Sequence, residues 1–178
     1  MIAQFNGFEI NKIHNGDAWK ICNFVISNED RLNHYFPKTL EQNLTPTLSN
    51  NFVEQKTKQF QNNEELLFTL KHSDTRALVG LFFLKELNWE IKQGEFAYCI
   101  GYNFEGQGLA SKAIQHLSQY AFDLGLETLQ IIVHKDNMAS VRVATNNQFE
   151  WIKTLPNEFT PNREQPLDME LYELNSKK

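Results

Sequence analysis

The sequence predicts one α/β (α+β) domain: a mixed, mostly antiparallel sheet of about seven strands with helices on its faces. Three observations carry this. Residues 66–102 hold three runs rich in aromatic and branched residues, separated by turn-like segments, as hairpin-linked antiparallel strands are. A glycine loop then opens the most regular amphipathic helix of the chain, and an apolar strand follows, so one strand pair is parallel with a right-handed crossover. With 178 residues, 41% hydrophobic and 22% charged, the chain is long enough to bury a real core, and no repeat, low-complexity tract or linker divides 1–178.

Taken in order, "FEINKI" (8–13) reads as the first strand, and "DAWKICNFVISN" from Asp17 as a helix with Trp19, Ile21, Cys22, Val25 and Ile26 at helical spacing. "EDRLNHYFPKTL" breaks that pattern at Pro37. "TLSNNFVEQKTKQFQNN" forms a second, more polar helix with a narrow apolar side at Leu48, Phe52, Val53 and Phe60. "LLFTLK", "ALVGLFFLKEL" and "EFAYCIGY" are the three meander strands, joined through "HSDT" and "NWEIKQG". Leu109, Ala110, Ala113, Ile114, Leu117, Ala121 and Leu124 mark the crossover helix, which stops at Gly125, a natural C-terminal residue. "TLQIIVH" (128–134) is the strand after it. A short helix over "DNMASVRVATNNQ", a strand over "FEWIKTL", a loop carrying Pro156, Pro161 and Pro166, and a last strand over "DMELYEL" complete the chain, whose closing "NSKK" is expected to fray.

Charge and cysteine use narrow the function. Seventeen Lys+Arg against 22 Asp+Glu leave the chain mildly acidic, without the basic footprint that phosphate-backbone binding needs; a cationic substrate suits it better. No apolar run is long enough for a membrane span, and "MIAQFNGFEINK" lacks the layout of a secretion signal, so a cytoplasmic location is the simplest expectation. Cys22 and Cys99 lie far apart in apolar surroundings with no metal-ligand spacing, so they read as reduced and structural, and no metal is expected.

The stretch "EGQGLASKAI" (105–114) is the main functional signal. A strand ending in "IGYNF", then two glycines, then a helix, places unpaired backbone N–H groups at a helix N-terminus, where the dipole also favours negative charge. Gly106 and Gly108 would let an anion touch the backbone; a tight strand-to-helix turn without ligand is the competing reading of the same glycines. A Walker loop is excluded because Leu109 and Ala110 stand where Lys and Ser/Thr belong, and the dinucleotide fingerprint lacks its third glycine and early strand.

The string from "EFAYCIGYNFEGQGLASKAI" through "VHKDNMASVRVATNNQFE" resembles the acetyl-CoA-binding core of the GNAT N-acetyltransferases, in particular their RimJ/RimL-like ribosomal-protein branch. The family loop Gln/Arg-x-x-Gly-x-Gly/Ala is matched by Glu105, Gly108 and Ala110, its Asn-x-x-Ser by Asn137 and Ser140, and its ending by Asp168 and Tyr172. The resemblance covers most of 66–174. It implies a single GNAT domain in which the two parallel strands splay. The amides of Glu105, Gly106, Gln107, Gly108, Leu109, Ala110 and Ser111 would grip the pyrophosphate of acetyl-CoA, while Cys99, Ile100 and Gly101 would supply backbone to pantetheine. Asn137 and Ser140 would complete the coenzyme site. Two positions depart from the pattern: Glu105 replaces Gln or Arg, and Gln148 replaces a glycine before Phe149. A carboxylate beside a pyrophosphate is unfavourable unless it points away or caps helix amides.

Acetyl transfer to a primary amine needs a neutral nitrogen, oxyanion support and a proton for the leaving thiolate. At pH 7 a lysine-like amine costs roughly 4 to 5 kcal/mol to deprotonate and an α-amine only about 1 kcal/mol, which favours a protein N-terminus as acceptor. The resemblance makes Glu95, on the strand entering the coenzyme site, the first candidate base, and Glu158, at the distance past Asn-x-x-Ser where the ribosomal branch carries an acidic residue, its rival; a strand-start or surface carboxylate is the plainer reading of Glu95. The resemblance makes Ser140 the proton donor to sulfur, although Asn137 and Ser140 would also serve as a helix cap. His134, Tyr98 and Tyr120 read as structural, and an N–H near Ile100 or Gly101 would hold the oxyanion. The acceptor pocket would draw on Arg31, His34, Tyr35 and Phe36 and on the loop 156–166. The expected partners are acetyl-CoA and an amine, with a homodimer possible and no nucleic acid or membrane. Acetylation of an aminoglycoside or polyamine, and a CoA-binding protein without turnover, are the alternatives.

Overall fold

The computed structural model describes residues 1–177. Eight strands, β1 (Ala3–Phe5), β2 (Phe8–Lys12), β3 (Leu66–His72), β4 (Leu78–Asn88), β5 (Gln93–Ile100), β6 (Thr128–Val133), β7 (Glu150–Phe159) and β8 (Leu167–Asn175), form one sheet in the order β1-β2-β3-β4-β5-β6-β8-β7. Every neighbouring pair is antiparallel except β5 and β6. Six helices flank it: α1 (Ala18–Ser27), α2 (Glu29–Tyr35), α3 (Pro37–Glu41), α4 (Pro46–Gln61), α5 (Leu109–Asp123) and α6 (Met138–Asn146). None is long and apolar enough to cross a membrane.

The mixed sheet, the meander, the crossover and the long α5 all stand where the sequence places them. Three details differ. The first strand is half of a hairpin: Asn6 and Gly7 both take positive φ (49° and 80°), as a two-residue hairpin turn requires, and they fold the three-residue β1 onto β2. That short strand raises the count to eight. The segment broken at Pro37 is itself helical on both sides, because Pro37 occupies the first turn of α3, where its missing N–H removes no hydrogen bond. β7 runs on through Pro156 to Phe159, ground that the sequence assigned to a loop; it lies at the sheet edge, where a residue without an N–H is tolerated. Of the closing "NSKK", Asn175 ends β8 and Lys178 lies outside the described residues.

Each sheet face carries its own core. Leu109, Ala113, Ile114, Leu117 and Ala121, at the spacing of one helical face, bury α5 against Phe82, Phe96, Leu129 and Ile131. The other face seats Ile21 and Val25 of α1, Leu32 of α2, Leu40 of α3 and Phe52 and Val53 of α4 on Leu67, Leu81, Phe83 and Cys99. Each fully buried large side chain contributes about 1.5–3 kcal/mol, so the sheet is clamped from both sides. What this rigid frame holds open is the seam between β5 and β6.

Candidate active site

The parallel pairing runs from Gln93 with Thr128 to Phe96 with Ile131 and stops there. β5 continues to Ile100 beside β4, whereas Ile132 and Val133 continue beside β8. The two strands therefore part into a wedge. Its backbone chemistry follows from ladder phase: Gly101 N–H donates to Val79 O at 2.9 Å. Along an antiparallel pair this direction alternates, so Cys99 and Ala97 bond β4 while the N–H and C=O of Tyr98 and Ile100 face the wedge. Of the residues expected to offer backbone there, Ile100 offers its N–H, its C=O being held by Arg31; Cys99 bonds β4, Gly101 donates to Val79 O and accepts from Phe104 N–H, and Tyr98, read from sequence as a packing residue, joins Ile100. The Tyr98 ring does also pack, stacked on Phe82.

At the wedge mouth lies the glycine loop. Gly106 and Gly108 have φ of 70° and 72°, and nothing stands within 4 Å of a Cβ built on either, so their need is conformational and the space above them is open. Gly108 caps α5 without a side chain, and the first helical bond is made by Lys112 N–H to Gly108 O at 3.1 Å. The N–H groups of Leu109, Ala110 and Ser111 thus precede the helical ladder and remain available. Gln107 turns its amide back onto Asn103 O, and Ser111 is held from α6 by Asn147, which donates to Ser111 O at 3.1 Å. Such an array of free amides at a helix dipole fits a pyrophosphate.

Glu105 does not face this array as a bare charge. It pairs with Arg31, whose Nη1 also donates to Ile100 O at 2.7 Å and whose guanidinium lies over the Tyr102 ring at 4.7 Å. Next to it, Asn28, only 5% exposed, donates to Phe24 O at 2.7 Å and accepts from Tyr102 N–H at 2.9 Å. Asn28 carries no motif and was not singled out from the sequence; its place at the α1–α2 junction is the one signal that could have found it.

Below the wedge, Glu95 lies opposite Gln130 in register and is 14% exposed. Burial raises its pKa above the usual carboxylate value; Lys85 Nζ at 3.0 Å pulls the other way, and the charges of Glu86 and Glu158 push it up further. The charge of Glu158 thus acts on Glu95, which is half-buried, while Glu158 is exposed on β7. Across the wedge, Asn137 caps α6 by accepting from Ser140 N–H at 3.3 Å, and Tyr98 OH donates to Ser140 O at 3.5 Å. Burial pushes the Tyr98 hydroxyl up to about 12 and the Cys99 thiol up to about 11, so both stay protonated at neutral pH.

On the helical side, His34 stands edge-on to Tyr35 and its Nδ1 is 3.4 Å from Glu164; Asn162 donates to Asn33 at 3.5 Å. These contacts bring the loop after β7 over α2. Phe36 is drawn inward, stacked on Phe83.

Comparison with known proteins agrees with this geometry. The chain superposes on a ribosomal-protein-S5-alanine acetyltransferase from Vibrio fischeri with a TM-score of 0.92 at 17% identity, covering 99% of this chain and 97% of that one. RimL, a ribosomal L7/L12 alpha-N-protein acetyltransferase solved with coenzyme A, gives 0.88 at 18% identity over 98% and 97%. The microcin C7 self-immunity acetyltransferase MccE, solved with acetyl-CoA and AMP, gives 0.86 at 19% over 97% and 94%. No curated protein matches at the level of sequence. Residues 8–150, however, match the acetyltransferase (GNAT) domain profile, from the first core strand to the start of β7, and the chain belongs to the GNAT acetyltransferase family.

Proposed function

We propose that the protein is a cytoplasmic acetyl-CoA-dependent N-acetyltransferase whose acceptor is a protein N-terminal α-amine, with direct transfer and no acetylated enzyme. One observation carries the reading: free amides at the N-terminus of α5 open onto a β5–β6 wedge whose closed end lies beside the half-buried Glu95. The relatives of like fold include acetyltransferases for ribosomal proteins S5 and L7/L12, which supports a protein acceptor.

Acetyl-CoA supplies an activated thioester carbonyl. The amides of Gly106 through Ser111 bind the pyrophosphate, and the backbone of Tyr98 orients the pantetheine arm. The N–H of Ile100, facing the wedge, holds the developing oxyanion, because that of Gly101 is already bonded to Val79. Glu95 receives the amine proton through water, its raised pKa bringing it nearer the pH at which it works. Glu158 adds negative charge that draws in the ammonium form of the acceptor. Ser140 returns a proton to sulfur, with Asn137 fixing the turn that presents it. Cys99 is a buried protonated thiol packed into the core under α1–α4, unsuited to nucleophilic attack.

Calorimetry with acetyl-CoA beside free-thiol release on N-terminal peptides, polyamines and aminoglycosides tests the whole reading. Binding with turnover on peptides is expected. Turnover on small amines alone would move the acceptor class, and binding without turnover on any of them would overturn the catalytic assignment.

A further inference from the structure

Arg31 stands on α2, among the acceptor-side helices, yet its side chain is committed to the coenzyme loop. Its three partners come from the end of β5, the turn after it and the glycine loop: Ile100 O at 2.7 Å, the Tyr102 ring face and the Glu105 carboxylate. The guanidinium is 24% exposed and the carboxylate 44%, so both lie at the edge of the site. The loop itself contains no cation, since Gly101 to Ser111 reads "GYNFEGQGLAS". Its charged residue has the wrong sign for a phosphate ligand.

We propose that Arg31 is a coenzyme-positioning residue: fixed by the Ile100 carbonyl, it neutralises from α2 the Glu105 carboxylate that the pyrophosphate loop carries. The inference rests on the acetyl-CoA reading above. Its signature is a difference of sign. As a pair, Arg31 and Glu105 present no net charge, so the loop amides meet the pyrophosphate unopposed. Without Arg31 an uncompensated carboxylate stands beside the ligand; without Glu105 the guanidinium turns its full charge on it. A merely structural ion pair would behave otherwise, because losing either partner would loosen the loop in the same direction.

The test is CoA calorimetry on wild type, Arg31→Met, Glu105→Gln and the double variant, beside the KM of each for S-acetylpantetheine, which lacks the pyrophosphate. Arg31→Met is expected to weaken CoA binding about tenfold. Glu105→Gln is expected to hold or tighten it by about threefold, and the double variant to lie within about threefold of wild type. The KM for S-acetylpantetheine should change by much less than the CoA affinity in each variant. Arg31→Lys keeps charge while losing the planar fork and recovers most of the affinity, which keeps the test available should Arg31→Met not fold. Equal weakening by the two single variants, or a parallel rise in the S-acetylpantetheine KM, overturns the proposal. A wild type that binds no CoA refutes the acetyl-CoA reading itself; a wild type that binds, with Arg31→Met indistinguishable from it, refutes only the role of Arg31.

Discussion

Replacing Lys85 by methionine would isolate the carboxylate on which the proposed chemistry depends. Lys85 Nζ lies 3.0 Å from Glu95 and its side chain is 35% exposed, so a water-like dielectric is the conservative choice. Two unit charges at that separation then attract by about 1.4 kcal/mol, an attraction that Lys85→Met removes. The sign is upward: Lys85 opposes the effects of burial and of Glu86 and Glu158, and its loss leaves them unopposed. The assay is kcat/KM for an N-terminal peptide by thiol release between pH 5 and 9. Below the α-amine pKa, near 7.7 to 8.0, the logarithm of the rate falls with a slope of about one as the acceptor protonates. Below the Glu95 pKa the slope becomes about two, since both groups must lose a proton. In Lys85→Met the break between the two slopes should move to higher pH, and in Glu95→Gln it should vanish along with most of the rate. A break that stays in place in the first variant, or survives in the second, refutes Glu95 as the base and points to Glu158.

Glu95→Gln should also stabilise the fold at neutral pH. A carboxyl whose folded pKa is raised favours the native state below its unfolded value and loses that contribution as pH rises through the folded one. The Tm gain of the variant should therefore be present at pH 8 and disappear by pH 4, which paired thermal melts would measure. Gly108→Val forces a β-branched residue to a φ of 72°, at about 1–2 kcal/mol, and fills the open space above the loop; coenzyme binding by calorimetry should be lost while most of the fold stability remains. Lys71 and Asp17 form a buried pair at 2.5 Å on the helical face of β3. Lys71→Met should destabilise by about 3–5 kcal/mol in urea unfolding, and adding Asp17→Leu should recover only part, because Asp17 also accepts from His14 N–H.

The glycine loop and the helix start that follows it were legible because their determinants are local. The run 93–111 carries strand, turn and helix start in one stretch, and free amides at a helix N-terminus follow from the chain's direction and two glycines. The splay itself came from the family resemblance. Ladder phase could not be read at all, since which of Tyr98, Cys99, Ile100 and Gly101 face the wedge depends on the register with β4, a partner reached through a hairpin with its own bulge. Arg31 is the sharper case. Its sequence context, "EDRLNHYF", suggests an acceptor-side helix, and its attachment to Ile100 and Glu105 spans some seventy residues, which no local pattern encodes. The short β1 was missed for a different reason: three residues give no alternation to detect.

The charge distribution around Glu95 bears on the acceptor more directly than the shape of the fold does. A half-buried carboxylate with Glu86 and Glu158 in its field attracts an ammonium ion, and the same field raises its affinity for the proton that the ammonium must lose. Capture and deprotonation thus draw on a single arrangement. For an α-ammonium the proton leaves at a cost of about 1 kcal/mol at pH 7, within reach of one carboxylate acting through water. For a lysine side chain the cost rises to roughly 4 to 5 kcal/mol, and a second device would be needed to lower the amine pKa, such as burial of the substrate nitrogen or a cation beside it. Lys85, the cation beside Glu95, is already engaged by that carboxylate at 3.0 Å. The electrostatics of the closed end of the wedge accordingly favour an amine that is close to neutral before it arrives, which is the property that separates a peptide N-terminus from a lysine side chain.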